Sequence, residues 1–358
     1  MGSSIRRLSF QLHLWMGLIL ALYAIVIGLT GSLLVFRAEL ERFSTPWPWK
    51  STAEPAVDIT AVIRSVQAAY PRWRVTSVQA PTPHQPGFIA VLQGRTRLRI
   101  ACDPATGAVL GEVPNGPHWL QTVSDLHERL LLSGRQGRVV NGIGGLCLLW
   151  MCLTGLVLWW RRHVFFVDFR RRWRRINFDL HSVAGFWALL FLLFWATSAF
   201  YFAWPAQVFA LVRFVSPIVN STPPRISVAP TDSEADIAAM VRQSATLDPG
   251  TTWKGIRLPY GPRAPLQVVM ARSGGEGGEY EDILFFDPST GQHLKTWRYG
   301  VHETLGDLLI WAQVPLHFGT SWGLGVKILW AVMGLAIPLL AVTGLVMYWN
   351  RTLRKLWT

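Results

Sequence analysis

Four apolar stretches, each long enough to cross a bilayer as a helix, constrain the fold of this chain more than any other feature. They occupy residues 12–36, 139–160, 182–204 and 326–349. A helix needs about 20 residues to cross a hydrocarbon core of roughly 30 Å. Only 15% of the chain is charged, against about 25% in soluble domains. The sequence therefore predicts a membrane protein with a four-transmembrane-helix bundle.

The basic residues predict the orientation of these helices. The net charge is +13, but the basic residues cluster beside the apolar stretches, at Arg6 and Arg7, within 161–175 and at the end of the chain. Loops rich in Lys and Arg stay in the cytoplasm. Both termini and the 161–175 loop are therefore expected to be cytoplasmic. The basicity reports topology in a lipid bilayer, so nucleic acid is not expected as a partner.

This orientation divides the chain into nine predicted segments. They are a cytoplasmic N-terminus (1–11), a first transmembrane helix (12–36), a first periplasmic segment (37–138), a second transmembrane helix (139–160), a cytoplasmic arginine-rich loop (161–181), a third transmembrane helix (182–204), a second periplasmic segment (205–325), a fourth transmembrane helix (326–349) and a cytoplasmic tail (350–358).

Both periplasmic segments have the pattern of α+β structure. In each, strand-like residues surround a turn motif, "DPATG" at 103–107 and "DPSTG" at 287–291, and a Gly-rich hairpin precedes the second motif. Asp, Pro and Gly favour tight turns. A helix-like stretch comes earlier in each segment, at 58–70 and 232–246. We expect two similar extracytoplasmic α+β segments.

The two halves of the chain also share motifs in the same order. "HLWMG" (13–17) matches "HSVAG" (181–185), the two DPxTG turns match, "LH" occurs at 126–127 and 316–317, and "LTGLVLWWRR" (153–162) matches "VTGLVMYWNR" (342–351). Four ordered matches indicate an internal repeat. We therefore expect two copies of a helix–domain–helix unit related by a pseudo-twofold axis.

The repeat places four histidines at two depths. His13 and His181 each follow a basic cluster by six residues, so they are expected at the same depth on the cytoplasmic side. His127 and His317 precede the second and fourth transmembrane helices. A continuous helix from either to the cytoplasmic end would be about 50 Å long. Glycines at 134, 137, 319, 323 and 325 permit a break, which predicts short helices at the periplasmic end.

Two pairs of histidines at opposite membrane faces suggest two b-type haems, one held by His13 and His181 and the other by His127 and His317. Haem iron accepts one axial nitrogen from each side of the porphyrin, and facing helices can supply both. Gly17 and Gly185, one turn after His13 and His181, would leave room for the macrocycle. His118 and His302 are secondary candidates near the periplasmic haem.

Other interpretations of the histidines remain open. They could be interfacial residues with glycines serving close helix packing, or members of a proton relay. A zinc or copper site is disfavoured, because each depth offers two histidines and no Cys or carboxylate at ligand spacing. The sequence lacks C-x-x-C-H, so any haem would be held without covalent attachment.

The H-x-x-x-G, DPxTG, LH and TGLV motifs together resemble those of the PepSY-associated transmembrane (PepSY-TM) proteins. Within that family the chain is most similar to the inner-membrane ferric-siderophore reductases of the ferrioxamine-reductase type. The resemblance implies haem b held by His13, His181, His127 and His317. It also implies reduction of periplasmic Fe(III)-siderophore, hydroxamate type favoured, by electrons from a cytoplasmic or quinol donor. No catalytic residue beyond the haems is expected.

Two other classes of protein remain as alternatives. The chain could be a cytochrome b-type subunit that passes electrons to a protein partner. It could also be a periplasmic PepSY-type peptidase inhibitor or sensor with a membrane anchor, although that function explains neither the paired histidines nor four spans. Pro315, which has no counterpart in the first half, is expected to bend the helix that carries His317.

Overall fold

The computed structural model describes residues 3–44, 47–49, 58–94, 96–114, 116–220, 223–226, 236–272 and 281–352. The helices within these ranges are α1 (Ser3–Leu34), α2 (Arg37–Ser44), α3 (Ile59–Ala69), α4 (His118–Arg129), α5 (Gly134–Trp159), α6 (Trp173–Ala203), α7 (Pro205–Val215), α8 (Ile237–Leu247), α9 (Leu305–Phe318) and α10 (Gly323–Arg351). The strands are β1 (Arg74–Gln79), β2 (Phe88–Gln93), β3 (Arg97–Cys102), β4 (Val109–Glu112), β5 (Thr251–Arg257), β6 (Leu266–Arg272), β7 (Glu281–Phe286) and β8 (His293–Trp297).

The chain folds into two compact units. Residues 1–37, 119–215 and 312–358 form the first, which we call the bundle unit, and residues 38–118 and 216–311 form the second, the sheet unit. The chain therefore passes between the units several times, because each unit draws on both halves of the sequence.

Four helices of the bundle unit, α1, α5, α6 and α10, are long and apolar enough to cross a membrane. Their outward side chains are apolar and exposed, as at Ile19 (79% exposed), Leu22 (74%) and Leu190 (76%). An apolar exposed surface of this extent is stable in lipid and unfavourable in water. The structure thus supports a multi-pass membrane protein with four spanning helices, as the sequence predicted. Helices α1 and α6 begin at Ser3 and Trp173, about two and a half turns before the predicted spans, because a helix can continue past the hydrocarbon core.

The long helices pack in a closed ring. Helix α1 packs against α5 and α10, and α6 packs against the same two helices. Helices α1 and α6 therefore stand at opposite corners of the bundle, and side chains that point inward from them can face each other across its interior.

Glycines let neighbouring helices of the ring approach closely. A Cβ atom at Gly28 of α1 would collide with Pro338 and crowd Ile337 of α10, and a Cβ at Gly145 of α5 would lie 2.6 Å from Ala199 Cβ of α6. Without a hydrophobic force between helices in lipid, small residues stabilise such packing through close van der Waals contact.

The helical conformation is interrupted between each short helix and the long helix that follows it. The two interruptions differ in which residues have positive φ. Leu130 and Leu131 have positive φ values of 55° and 59° between α4 and α5, and Gly134, the first residue of α5, has 49°. Between α9 and α10, Gly319 has 65° and Gly323, the first residue of α10, has 78°. Positive φ is strained for leucine and free of strain for glycine. Gly137 lies inside α5, where a Cβ would collide with the backbone of Arg129. Pro315 lies within α9, which continues to Phe318.

The described residues of the sheet unit form one antiparallel sheet of eight strands in the order β4-β3-β2-β1-β5-β6-β7-β8. Two four-stranded meanders, one from each half of the chain, meet where β1 pairs with β5, with Val78 opposite Ile256. The sequence patterns identified the other strands of each meander but not these two joining strands. The pairing converts two segments that appeared separate in sequence into one continuous sheet.

The two DPxTG motifs form the same turn. Asp103 accepts hydrogen bonds from the backbone N–H groups of Ala105 and Thr106 at 3.0 and 2.8 Å, and Gly107 has φ 71°. In the second turn, Asp287 accepts from Ser289 and Thr290, and Gly291 also has φ 71°. The aspartate replaces missing backbone partners, and only glycine adopts this φ without strain.

Helices α3 and α8 complete the sheet unit. An aspartate caps each helix, Asp58 on α3 and Asp236 on α8, and both helices pack on the sheet through buried residues such as Val62, Val66 and Met240. These helices cover the predicted helix-like stretches, apart from 232–235, which lie outside the described residues, as does the Gly-rich hairpin at 273–280. A separate antiparallel sheet with helices is the α+β structure that the sequence predicted.

Candidate functional site

The first pair of predicted site residues lies inside the bundle. His13 on α1 and His181 on α6 face each other with ring centres 6.2 Å apart and ring planes inclined at 85°. Each Nδ1 is hydrogen-bonded to a threonine hydroxyl on a neighbouring helix, that of His13 to Thr154 of α5 at 3.0 Å and that of His181 to Thr343 of α10 at 2.9 Å. Both histidines are therefore held by the helices on either side of the pair.

The second pair has the same arrangement at the other end of the long helices. His127 on α4 and His317 on α9 have ring centres 6.4 Å apart and planes inclined at 60°. The Nδ1 atom of His127 bonds to Thr30 of α1 at 3.0 Å, and that of His317 bonds to Ser198 of α6 at 2.6 Å. The structure thus brings together all four predicted histidines in two pairs.

The carbonyl groups of the second pair are fixed as well. The Asn141 side chain on α5 donates to the carbonyl of His127 at 2.8 Å, and the indole N–H of Trp195 on α6 donates to the carbonyl of His317 at 3.2 Å. The short helices α4 and α9 are therefore tied to the long helices at the residues that carry the imidazoles.

The distance between the two pairs follows from the sequence. Thr30 follows His13 on α1 by 17 residues, and Ser198 follows His181 on α6 by the same number. At 1.5 Å per residue, this spacing separates the two levels by about 25 Å along the helix axis. Each of these two helices contributes a histidine to one level and a hydroxyl to the other.

A small residue follows each hydroxyl residue. A Cβ atom at Gly31 would lie 2.8 Å from Cε1 of His127, one at Gly155 would lie 3.2 Å from Cε1 of His13, and one at Gly344 would lie 3.6 Å from Cε1 of His181. Ala199 takes this place after Ser198. The glycines of the two TGLV motifs thus lie against the imidazoles.

The other predicted glycines lie on the same helices as the first pair. A Cβ at Gly17 would lie 3.2 Å from the terminal methyl of Met151, and one at Gly185 would lie 3.5 Å from Leu340. Met151 and Leu340 each precede the threonine of a TGLV motif by three residues. Gly17 and Gly185 therefore face the helices that supply the hydroxyls, and larger side chains there would press on α5 and α10.

His118 and His302, the secondary candidates, belong to the sheet unit. His302 packs its ring against Trp311 with ring centres 4.6 Å apart, and His118 is the first residue of α4. A role for either beside the His127–His317 pair stays a prediction.

Burial favours the neutral imidazole at the second pair. His127 and His317 lie on short helices outside the four spanning helices. Burial lowers the pKa of His127 to about 4 and that of His317 to about 3. A neutral imidazole has one nitrogen with a free electron pair at pH 7, which is the form that binds a metal ion.

Sequence reasoning missed the residues that support the histidines. Thr30, Thr154, Ser198 and Thr343 carry the hydroxyls, and Asn177, buried four residues before His181, donates to the carbonyl of Thr343 at 2.9 Å. The signal was present, since a hydroxyl residue followed by Gly or Ala recurs at 30–31, 154–155, 198–199 and 343–344. Two of these four dipeptides lay within the TGLV repeat, whose role was not foreseen.

Comparison with known proteins agrees with this architecture. The family described as PepSY-associated TM region matches residues 10–351, and the chain therefore belongs to that family. The chain is also similar to the uncharacterized protein PA4219 of Pseudomonas aeruginosa, with 28% identity over 268 residues. That match covers 65% of this chain and 64% of the relative, so the chain matches just under two thirds of its relative's length.

Proposed function

We propose that this protein is a haem-containing reductase of the bacterial inner membrane that passes electrons to ferric siderophore in the periplasm. The observation that carries the proposal is the geometry of the two histidine pairs. In each pair, two imidazoles face each other from separate helices, with ring centres 6.2 and 6.4 Å apart. Two histidines that held one haem iron, one from each side, would lie in such pairs.

The spacing within each pair fits one metal ion between the rings. A bond between a metal ion and an imidazole nitrogen is about 2.0–2.1 Å long, and the ring centre lies about 1.1 Å beyond that nitrogen. Two imidazoles that held one ion from opposite sides would therefore have centres about 6.3 Å apart. The ring-centre spacings of 6.2 and 6.4 Å are close to that value.

The number of ligands favours haem over a bare metal ion. A structural zinc ion usually takes four protein ligands, but the described residues contain no group of three or more His, Cys, Asp or Glu side chains that could hold an ion. The porphyrin supplies four of the nitrogen ligands itself, so two histidines complete the coordination of its iron. When bound, haem supplies reversible one-electron transfer.

The bundle offers two such sites at different depths. His13 and His181 lie near the end of the bundle that contains the arginine-rich loop, and His127 and His317 lie about 25 Å further along the helices. By the positive-inside rule, the first pair is on the cytoplasmic side and the second on the periplasmic side, with the sheet unit in the periplasm. The chain could thus conduct electrons outward across the membrane.

The repeat explains why the two halves supply matching parts. Exchanging the halves converts the packing of α1 on α10 into that of α6 on α5, and the β1–β5 pair into itself. The same exchange converts the bond between His13 and Thr154 into that between His181 and Thr343. These correspondences support two copies of one ancestral unit, each of which contributes one histidine to each site.

Reduction of the ferric ion is itself the reaction in this proposal. A reduced cytoplasmic flavoprotein or a membrane quinol provides one electron, and Fe(III) in the siderophore becomes Fe(II). Hard oxygen ligands hold Fe(II) less tightly than Fe(III), so the iron is released for uptake. The chain needs no general acid or nucleophile for this step, and the four histidines bind the group that carries the electron.

The experiment that tests this function follows reoxidation of the dithionite-reduced protein in detergent, after removal of excess dithionite, on mixing with ferric hydroxamate, catecholate and citrate complexes. We expect rapid reoxidation with at least one complex, with Fe(II) appearing in step on a ferrous chelator. The gallium(III) forms of the same siderophores are the matched control, because they have similar shape and charge but do not accept an electron.

Two outcomes would contradict the proposal. Reoxidation under anaerobic conditions that is no faster with any ferric complex than with its gallium form would show that the electrons do not reach the siderophore iron. A reduced protein that is stable with every ferric complex, but is reoxidised by a protein from the periplasmic fraction, would support the cytochrome b-type subunit instead.

A further inference from the structure

The hydroxyl groups beside the four histidines use their own protons elsewhere. Thr154 donates to the carbonyl of Trp150 at 2.8 Å, and Thr343 donates to that of Leu339 at 2.7 Å. Thr30 donates to the carbonyl of Val26 at 2.6 Å, and Ser198 donates to that of Trp195 at 3.0 Å. Each hydroxyl is therefore a donor within its own helix.

Donation to the backbone determines the direction of the hydrogen bond between each hydroxyl and its histidine. A hydroxyl has one proton and two electron pairs. When that proton points to the backbone carbonyl, the oxygen accepts from the imidazole, and Nδ1 is then the protonated ring nitrogen. The second nitrogen, Nε2, then carries the free electron pair. All four histidines are thereby held in the tautomer that presents Nε2 to a metal ion.

We propose that Thr30, Thr154, Ser198 and Thr343 are positioning residues that fix the tautomer of the four histidines and lower the reduction potential of the haem that each pair holds. The proposal rests on the proposed function, because it assigns a role at the same sites. The physical cause is that an Nδ1–H group that donates to an oxygen makes Nε2 a stronger electron donor. A stronger donor stabilises ferric iron relative to ferrous iron.

A hydrogen bond from a Ser or Thr hydroxyl to a carbonyl of its own helix does not by itself indicate a functional site, because such bonds are common in transmembrane helices. Thr197 forms such a bond at 2.8 Å to Phe194, and its side chain is exposed on the outside of α6. The four positioning residues differ because each oxygen also meets an imidazole Nδ1 on another helix, at 2.6 to 3.0 Å. Thr197 is therefore a natural control within the same helix as Ser198.

The pairing of hydroxyls with sites gives the proposal its specificity. Thr154 and Thr343 act on the His13–His181 site, and Thr30 and Ser198 act on the His127–His317 site. Helices α1 and α6 each carry a histidine of one site and a hydroxyl residue of the other site. Substitution of the hydroxyl residue on either helix is therefore expected to affect the site at the far end of that helix, and not the site to which the histidine of the same helix belongs. Simple loosening of a helix would affect both sites.

The test is a potentiometric titration of purified protein in detergent, followed by absorbance. The variants Thr154→Val and Thr343→Val keep the shape of the side chain and remove the hydroxyl oxygen that accepts from histidine. The variant Thr154→Ser keeps that hydroxyl. We expect each valine variant to raise the midpoint potential of one haem and to weaken haem retention about tenfold to a hundredfold. The other haem should be unchanged, the serine variant should resemble the wild type, and Thr197→Val should change neither.

The complementary variants Thr30→Val and Ser198→Ala should move the other potential. Unchanged potentials in all four variants, with two haems bound, would overturn the positioning role and leave the proposed function intact. Equal shifts in both potentials from one substitution would also overturn it. A wild-type protein without haem would overturn the proposed function and this inference with it. If one valine variant does not fold, the other member of its pair tests the same site.

Discussion

His13 and His181 face each other from opposite corners of the helix bundle, with ring centres 6.2 Å apart. The pair needs both halves of the chain, because α1 carries His13 and α6 carries His181. Two ligands from two helices imply that loss of either one should empty the site. That expectation separates a shared site from two independent histidines.

His13→Ala and His181→Ala should therefore each bind one haem per chain, where we expect the wild type to bind two. The remaining site uses His127 and His317, about 25 Å away along the helices, and should keep its haem. The pyridine haemochrome assay, normalised to protein, measures the ratio. His84→Ala, at an exposed position of the sheet unit, is the control and should keep two. Loss of both haems from a folded His13 variant, or of neither, would disprove the pairing.

The two sites should differ in their magnetic spectra. The imidazole planes are inclined at 85° in the first pair and 60° in the second. Nearly perpendicular ligand planes make two iron d orbitals almost equal in energy, which gives low-spin ferric haem a strongly axial electron paramagnetic resonance signal. We expect two distinct low-spin signals, of which His13→Ala abolishes the more axial one. A single signal from a protein with two haems would contradict the different ring geometries.

The glycines beside the imidazoles should show a graded response to alanine. A Cβ would lie 2.8 Å from the His127 ring at Gly31, 3.2 Å from His13 at Gly155 and 3.6 Å from His181 at Gly344. We expect Gly31→Ala to weaken haem binding at the second site by tenfold or more, Gly155→Ala to have a smaller effect and Gly344→Ala to have none. Competition for haem by apomyoglobin measures the loss. Equal effects at all three positions would show that contact with the ring is not the cause.

A buried aspartate should make the stability of the sheet unit depend on pH. Asp282 on β7 is fully buried beside Asp248. Its carboxylate accepts a hydrogen bond from the Tyr299 N–H at 2.7 Å and contacts Arg272. Arg298 lies 3.4 Å from Asp248. Burial, opposed in part by the Tyr299 bond, raises the pKa of Asp282 above its ordinary value. The folded state thus binds the proton more tightly than the unfolded state, so this contribution is fully present at low pH and is lost as pH rises through the raised pKa.

Hydrogen exchange of the β6 and β7 amides, corrected for the intrinsic effect of pH, measures this dependence. Protection of the wild type should fall as pH rises from about 4 towards neutrality, since an unperturbed aspartate has a pKa of about 3.9. Asp282→Asn should remove that trend. Asp236→Asn is the control, because it removes one exposed charge and keeps a good helix cap. A wild type whose protection increases over the same range would contradict the raised pKa.

The sequence predicted the parts of this fold that have strong local patterns. The length of the apolar stretches indicated the four spanning helices. The DPxTG motifs indicated two turns, which the side chains of Asp103 and Asp287 stabilise. The pairing of β1 with β5 was not predictable, because strand partners far apart in sequence depend on tertiary packing and not on local composition. The break after α4 was expected at glycines, and Gly134 has a positive φ there, but Leu130 and Leu131 also take this conformation, which is strained for leucine.

The histidines illustrate the same limit within the site. Their positions in a repeat gave a hypothesis about pairing, and the structure places those residues together. The hydroxyls were overlooked because Thr and Ser are common in transmembrane helices, where they bond to their own backbone. Only the contact with His317 on another helix distinguishes Ser198 from Thr197, its neighbour in the sequence. That contact is visible in the three-dimensional structure and not in the sequence.

The difference absorbance spectrum of the purified protein, dithionite-reduced minus oxidised, tests the central claim most directly. Two bis-histidine sites predict the sharp bands of low-spin b-type haem and about two haems per chain by pyridine haemochrome. A folded protein purified from haem-replete cells that shows no such bands would contradict the account.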